Sequence, residues 1–206
     1  MSRRFAARLH TNQSGTTIME FAFVAPTLLL MLLAGFDFSY GQYVGSILQG
    51  EVQKSGRDAA LEGSSGALAA LDGRVRTRVD TLVENATYTI TRKNVASFER
   101  AGQAEPFVDA VHSPNPLDGI CNQGEAYTDE NNNGRFDLGP DAGSDGQGGA
   151  RDITVYTVRV SYPRLFPLNG LLGLPTTVTQ TATTVLRNQP FGQQATRTPG
   201  TGNCPP

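Results

Sequence analysis

Residues Gly15 to Phe36 read GTTIMEFAFVAPTLLLMLLAGF, a run of 22 residues in which Glu20 is the sole charge. As an α-helix this run would extend about 33 Å, enough to cross the hydrocarbon core of a bilayer. Residues 1–15 carry Arg3, Arg4 and Arg8 with no acid, and the first acid beyond the run is Asp37. The positive-inside rule then predicts a cytoplasmic N-terminus, with everything after Phe36 outside the cytoplasm. A secretory signal cut near Ser39-Tyr40-Gly41 fits less well, because such signals have a shorter apolar run and no carboxylate near its start.

The composition of the remainder argues against a compact enzyme. Among 206 residues there are 23 glycines and 12 prolines, and 38% are hydrophobic, which leaves little apolar material for one large core. The two histidines, His10 and His112, and the two cysteines, Cys121 and Cys204, are too few for a Cys/His zinc site within one chain. His112 lies in a proline-punctuated stretch, Val111-His112-Ser113-Pro114-Asn115-Pro116, with no nucleophile signature beside it. No intrinsic catalysis is expected. The formal charge of -2 gives no general reason to bind nucleic acid, although charge is unevenly spread. Residues 117–152 hold eight acids against two arginines, a net -6.

Glu20 is the informative residue of the apolar run. A carboxylate at mid-bilayer costs about 2.5 to 3.5 kcal/mol on insertion scales and calls for a partner. Near the cytoplasmic interface it can snorkel or take up a proton at lower cost. A cut after Gly15 would supply a stronger answer, because the new amine of Thr16 lies four residues from Glu20 on one helical face. In an assembly, Glu20 of one chain can equally meet the amine of the next.

Gly15-Thr16-Thr17-Ile18-Met19-Glu20-Phe21, followed by a long apolar helix, resembles the type IV prepilin processing pattern, with glycine before the cut and glutamate fifth after it. With Glu20-Phe21-Ala22 and Pro26, the run resembles more narrowly the TadE-like family, minor pseudopilins of tight-adherence (Flp-type) pilus assembly; TadG-like proteins share the anchor. Val185-Leu186-Arg187-Asn188-Gln189-Pro190-Phe191 is similar to the Arg-Asn-Glu-Pro stretch that often closes these domains, with Gln189 in place of the acid. The resemblance implies processing by the dedicated prepilin peptidase. Its implied partners are the lipid bilayer, other pilin or pseudopilin subunits and the Tad assembly platform.

Past Asp37 the residues Tyr40, Tyr43, Val44, Ile47, Leu48 and Val52 recur at helical spacing. One helix of about 66 Å from Ile18 to Leu61 is expected, shaped like a pilin stem, with Pro26 and Gly35 as kinks or soft spots. Gly41 and Gly45 offer a close-approach face for another helix or for the head. Gly63-Ser64-Ser65-Gly66 breaks the stem, and Ser64 or Ser65 can cap a second helix whose stripe is Leu68, Leu71, Val75, Val79 and Leu82. Arg74, Arg76 and Arg78, interleaved with Asp72, Asp80 and Glu84, read as an ordinary solvated face.

Strand patterns follow at Ala86–Thr91, Thr154–Tyr162 and Thr176–Leu186. Val155 and Val158 differ in parity, which points to a bulge or a slipped register. The expected fold class is α+β, with the second helix packed on a small antiparallel sheet. Residues 103–151 interrupt it as a long acidic loop insertion. Within it Asp129, Asn131, Asn133 and Asp137 fall at positions one, three, five and nine of an EF-hand-like loop. Gly134 is at six, and the Arg135 carbonyl is available at seven. Pro140 stands where a bidentate glutamate belongs, so Asp141 or Glu125 would have to complete a Ca2+ site. Without calcium the stretch is a solvated acidic loop with an Asn-Gly turn.

Outside the cytoplasm Cys121 and Cys204 can form a disulfide; two free thiols or an intermolecular bridge are the alternatives. The expected organisation is a basic cytoplasmic leader at 1–15, a transmembrane segment at 16–36 and an amphipathic stem at 37–62. A periplasmic head spans 63–192, and a flexible Pro/Gly/Thr-rich tail follows at 193–206. The functional expectation is a processed, non-enzymatic pilus-assembly subunit anchored in the inner membrane. The alternative is a permanently anchored calcium-binding envelope protein that recognises a surface ligand through its acidic insertion.

Overall fold

A computed structural model describes residues 16–62, 65–109, 117–189 and 198–205. Helix α1 (Thr16–Glu62) runs without interruption through Pro26 and Gly35, so neither expected soft spot ends it. The described chain forms two compact units. The first joins residues 16–43 to Arg164–Thr176, and the second joins Val44–Pro163 to Thr177 and the residues beyond.

In the second unit, α1 packs through Val44, Leu48, Val52 and Ala59, all buried, as the three- and four-residue spacing requires. Helix α2 (Ser65–Asp80) buries Leu71, Val75 and Val79. Leu68 and Leu82 are half-buried, and Leu82 lies past the helix in a turn. The two helices are tied by ion pairs Arg74–Asp58 at 3.4 Å and Arg78–Glu51 at 3.8 Å, while Arg76 lies 5.3 Å from the centre of the Tyr88 ring. The arginine row is thus a partly exposed face that pairs locally.

Strands β1 (Thr87–Val95), β3 (Ser144–Asp145), β4 (Ile153–Pro163) and β5 (Thr177–Arg187) form an antiparallel sheet in the order β3-β1-β4-β5. Pairing of β1 with β4 is continuous from Thr87 opposite Ser161 to Val95 opposite Ile153. The expected bulge is therefore absent. Val155 and Val158 do point to opposite faces, and both are buried because β4 is covered on both sides at its first half. Tyr156, Val158, Val160 and Tyr162 face the helices. On the other side, the backbone of 139–146 lies so close that a Cβ on Gly143 would sit 3.2 Å from Lys93 Cβ and Val95 Cγ1.

Against β5 the close approach of α1 falls at Gly56, where an added Cβ would lie 2.7 Å from Thr184 Cγ2 and 2.8 Å from Leu186 Cδ2. Gly45 sits against the Gln180 side chain. The small residues of the stem thus admit the head's own sheet. Asp72 of α2 fastens the pair of layers: Arg92 donates to both its oxygens, at 2.8 and 2.5 Å, and Tyr156 Oη donates at 2.7 Å. The Arg92 guanidinium lies 4.3 Å from the centre of the Tyr156 ring. Burial and Asp72 together push the Tyr156 phenol well above its ordinary value, so it remains a donor at neutral pH.

The described residues of 103–151 carry more structure than a free loop. They contain β2 (Ala126–Asp129), β3 and a short 3-10 turn at Gly139–Ala142, and their backbone groups find partners outside the stretch. The expected flexible tail supplies one of them: β6 (Gly200–Asn203) pairs antiparallel with β2 from Ala126 opposite Asn203 to Asp129 opposite Gly200. Gly202 is required there, because a Cβ would lie 2.4 Å from the buried Tyr127 ring. Phe136 packs edge-on against both Phe107 and Tyr127, giving this small sheet an aromatic core.

Candidate functional site

The sequence-predicted residues fall into three places. Gly15 lies outside the described residues, as do His10 and His112; Thr16 begins α1, and Glu20 and Phe21 are exposed on its first turns. Glu20 and Phe21 lie in the apolar part of α1, whose mean hydropathy reaches 2.0 with none of the residues in that stretch buried. Ile18, Met19, Phe23, Leu29 and Met31 are likewise exposed. Water is a poor solvent for such a surface, and lipid a good one. Among the described residues this is the one helix long and apolar enough to cross a membrane, which suggests membrane anchoring.

The second place is the acidic loop. Asp129 is buried and its carboxylate accepts the amides of Asn133 at 3.1 Å and Gly134 at 2.7 Å. Asn131 Oδ1 also accepts Asn133 N–H, at 3.0 Å, and Asn133 Oδ1 accepts Arg135 N–H at 2.7 Å. Asn131 and Asn133 both donate through their side-chain amides to Asp137 Oδ2, at 2.8 and 2.5 Å. Positive φ at Asn132 (58°) and Gly134 (74°) closes the turn. Asp129, Asn131, Asn133, Arg135 and Asp137 therefore do gather. Asp141 is exposed and reaches them through its backbone carbonyl, which accepts from Asn131 at 3.1 Å. Glu125 is used elsewhere, accepting Asn122 N–H at 2.8 Å. Among the described residues no group of three or more His, Cys, Asp or Glu is placed to hold a metal ion, so a cation here would depend on amide and carbonyl oxygens.

Sequence reading missed Glu105, the residue that supports this loop from below. It is buried, and its two carboxylate oxygens accept Glu130 N–H at 2.8 Å and Asp137 N–H at 3.0 Å. Burial raises its carboxyl above the ordinary 4.5; these amides oppose the rise, and Asp129 and Asp137 reinforce it. A raised folded value means that the folded chain holds this proton more tightly than the unfolded chain. The contribution of Glu105 is thus fully present below pH 4.5 and declines as pH rises through the folded value. With calcium chelated, wild type should lose melting temperature relative to Glu105→Gln as pH rises above 4.5. Parallel profiles would contradict the assignment.

The third place is the join between insertion and sheet. Cys121 and Cys204 form a disulfide, with Cα atoms 5.4 Å apart. Cys204 N–H also donates to the Glu125 carbonyl at 2.8 Å, extending the β2–β6 pairing. Asn188, of the stretch Val185 to Phe191, is a buried hub: its amide donates to the carbonyls of Gln147 at 2.6 Å and Gly149 at 3.0 Å, and its Oδ1 accepts from Gln147 Nε2 at 2.9 Å. Gln189 N–H donates to the Ala60 carbonyl at 3.2 Å, and residues 190–197 lie outside the described residues. Asn188 thus holds the returning end of the insertion on β5, a positional role.

Residues 15–57 match the family model of the TadE-like proteins, over the segment that carries the sequence resemblance. No curated protein and no solved structure matches the chain.

Proposed function

We propose that the chain, through its TadE-like segment, serves Tad (Flp-type) pilus assembly as a membrane-anchored pseudopilin, a structural subunit and not an enzyme. The observation that carries this reading is the exposed apolar window of α1 within the matched segment, which follows a basic leader and holds Glu20 as its single carboxylate. The prepilin peptidase cuts after Gly15, the amine of Thr16 becomes a counter-charge for Glu20, and the head stands in the periplasm. Its partners are other pilin or pseudopilin subunits and the assembly platform. The match across 15–57 supports this reading over an uncut envelope protein. Glu20→Ala should leave the chain in the membrane fraction and abolish surface filaments. Wild-type filament numbers in that variant would remove the proposed role of Glu20.

The acidic loop supports a second, structural proposal. Asp129, Asn131, Asn133 and Asp137, with the Arg135 carbonyl, would hold Ca2+, and the cation would screen the repulsion between the two carboxylates. The hydrogen bonds from Asn133, Gly134 and Arg135 amides to alternate side-chain oxygens favour it, since they hold those oxygens within one tight turn. Millimolar calcium should raise the melting temperature of the full chain in detergent, and Asp129→Asn should remove the increase. No shift in the wild type would end the calcium proposal.

A further inference from the structure

The link between β4 and β5 reads Leu165-Phe166-Pro167-Leu168-Asn169-Gly170-Leu171-Leu172-Gly173-Leu174-Pro175, eleven residues with five leucines and no charge. A connection between antiparallel strands is ordinarily polar. This one leaves Leu165 53%, Leu171 69% and Leu172 46% exposed, and of its leucines Leu168 is buried. It belongs to the same compact unit as residues 16–43 of α1. Leu165 and Phe166 line an apolar groove of about 540 Å³ together with Phe36, Ser39, Tyr40 and Tyr43. Phe36 and Phe38 add further exposed aromatic surface at this level of the helix.

The neck of the link is fixed by charge. Asp37 is buried and accepts a hydrogen bond from Arg164 Nη1. Arg164 also donates through Nε to the Pro175 carbonyl at 2.6 Å and through its backbone amide to the Thr176 carbonyl at 3.0 Å. One arginine therefore clamps both ends of the link to the first charged residue beyond the apolar run. The pair is neutral overall, which lowers the cost of holding it at a lipid headgroup boundary.

We infer that the 165–175 link is a second membrane contact, seated in the interface of the leaflet nearest the head. Its exposed leucines continue the lipid-facing surface of α1, and Phe36, Phe38, Tyr40 and Tyr43 stand where interfacial aromatic residues gather. The occupant of the apolar groove is a lipid acyl chain. This rests on the reading of α1 as a membrane span.

The chain contains no tryptophan, so single-tryptophan variants report on one position each. The full-length protein is reconstituted in phosphatidylcholine vesicles with lipids brominated either near the glycerol end or near the tail end of the acyl chain. L29W reports on the span, L171W on the link, and L138W on an exposed part of the head. L29W should be quenched most by deep bromines, L171W should be blue-shifted and quenched most by shallow ones, and L138W should emit as in water. Quenched L29W with water-like L171W would overturn the inference and leave the anchor standing. Unquenched L29W would remove the anchor and this inference with it. A blue shift in L171W that ignores bromine position and grows with protein-to-lipid ratio would assign the link to a second copy of the chain, which also overturns it.

Discussion

Replacement of Cys121 and Cys204 together by serine is expected to lower the unfolding free energy of the head by about 4 to 5 kcal/mol. The bridge spans 83 positions, and closing a loop of that length removes this much free energy from the unfolded chain in the chain-entropy account. A domain is typically stable by only about 5 to 15 kcal/mol, so the loss is a large fraction of the total. The structure gives a reason to expect most of it to be felt. β6 is four residues long and glycine-rich, so its ladder with β2 is a weak attachment without the covalent tie. Release of β6 would also uncover the buried Tyr127 ring, against which Phe136 packs. Urea unfolding of wild type and double variant in the same detergent measures the difference. A change below about 1 kcal/mol would show that the β2–β6 sheet holds without its bridge.

Asp72→Ala is expected to cost about 3 kcal/mol. It strands Arg92, whose side chain is 12% exposed and whose guanidinium has no other anion among the ion pairs of the described residues. It also removes the acceptor of the buried Tyr156 hydroxyl. Breaking a buried pair typically costs about 3 to 5 kcal/mol; the lower end applies because the Asp72 side chain keeps 20% of its exposure and is partly screened. The double replacement Asp72→Leu, Arg92→Met should recover much of the loss, since the penalty comes mainly from the unpaired charge. A single variant as stable as wild type would mean that α2 is held on the sheet by Leu71, Val75 and Val79 alone.

The elements with a strong period were legible in the sequence, and those defined by partners distant in the chain were not. The apolar run from Gly15 is legible from its length and lack of charge, and the stripe of α2 and the alternation of β1 and β5 from spacing, because one face of each is buried; β4 reads as a strand although its first half is covered on both faces. Asp72 sits among alternating charges and reads as solvated; its partners, Arg92 and Tyr156, are 20 and 84 residues away. Local charge patterns carry no trace of them. Glu105 and Asn188 were equally silent as to role, since each serves backbone amides or carbonyls of a distant turn. Gly200–Asn203 has no side-chain alternation to betray a strand, and its Gly202 answers to the Tyr127 ring and its Gly200 to the Asn132 side chain. The 165–175 link carries no such signal, because a short apolar run between strands lacks a period.

The proposed counter-charge for Glu20 exists only if the leader is removed, and the mass of the mature N-terminus tests this most directly. The chain is purified from membranes of cells with and without the prepilin peptidase, and its N-terminal peptide is read by mass spectrometry. The prediction is a chain beginning at Thr16 when the peptidase is present and an intact leader, still joined through Gly15, when it is absent. An intact leader in both cells would contradict the account.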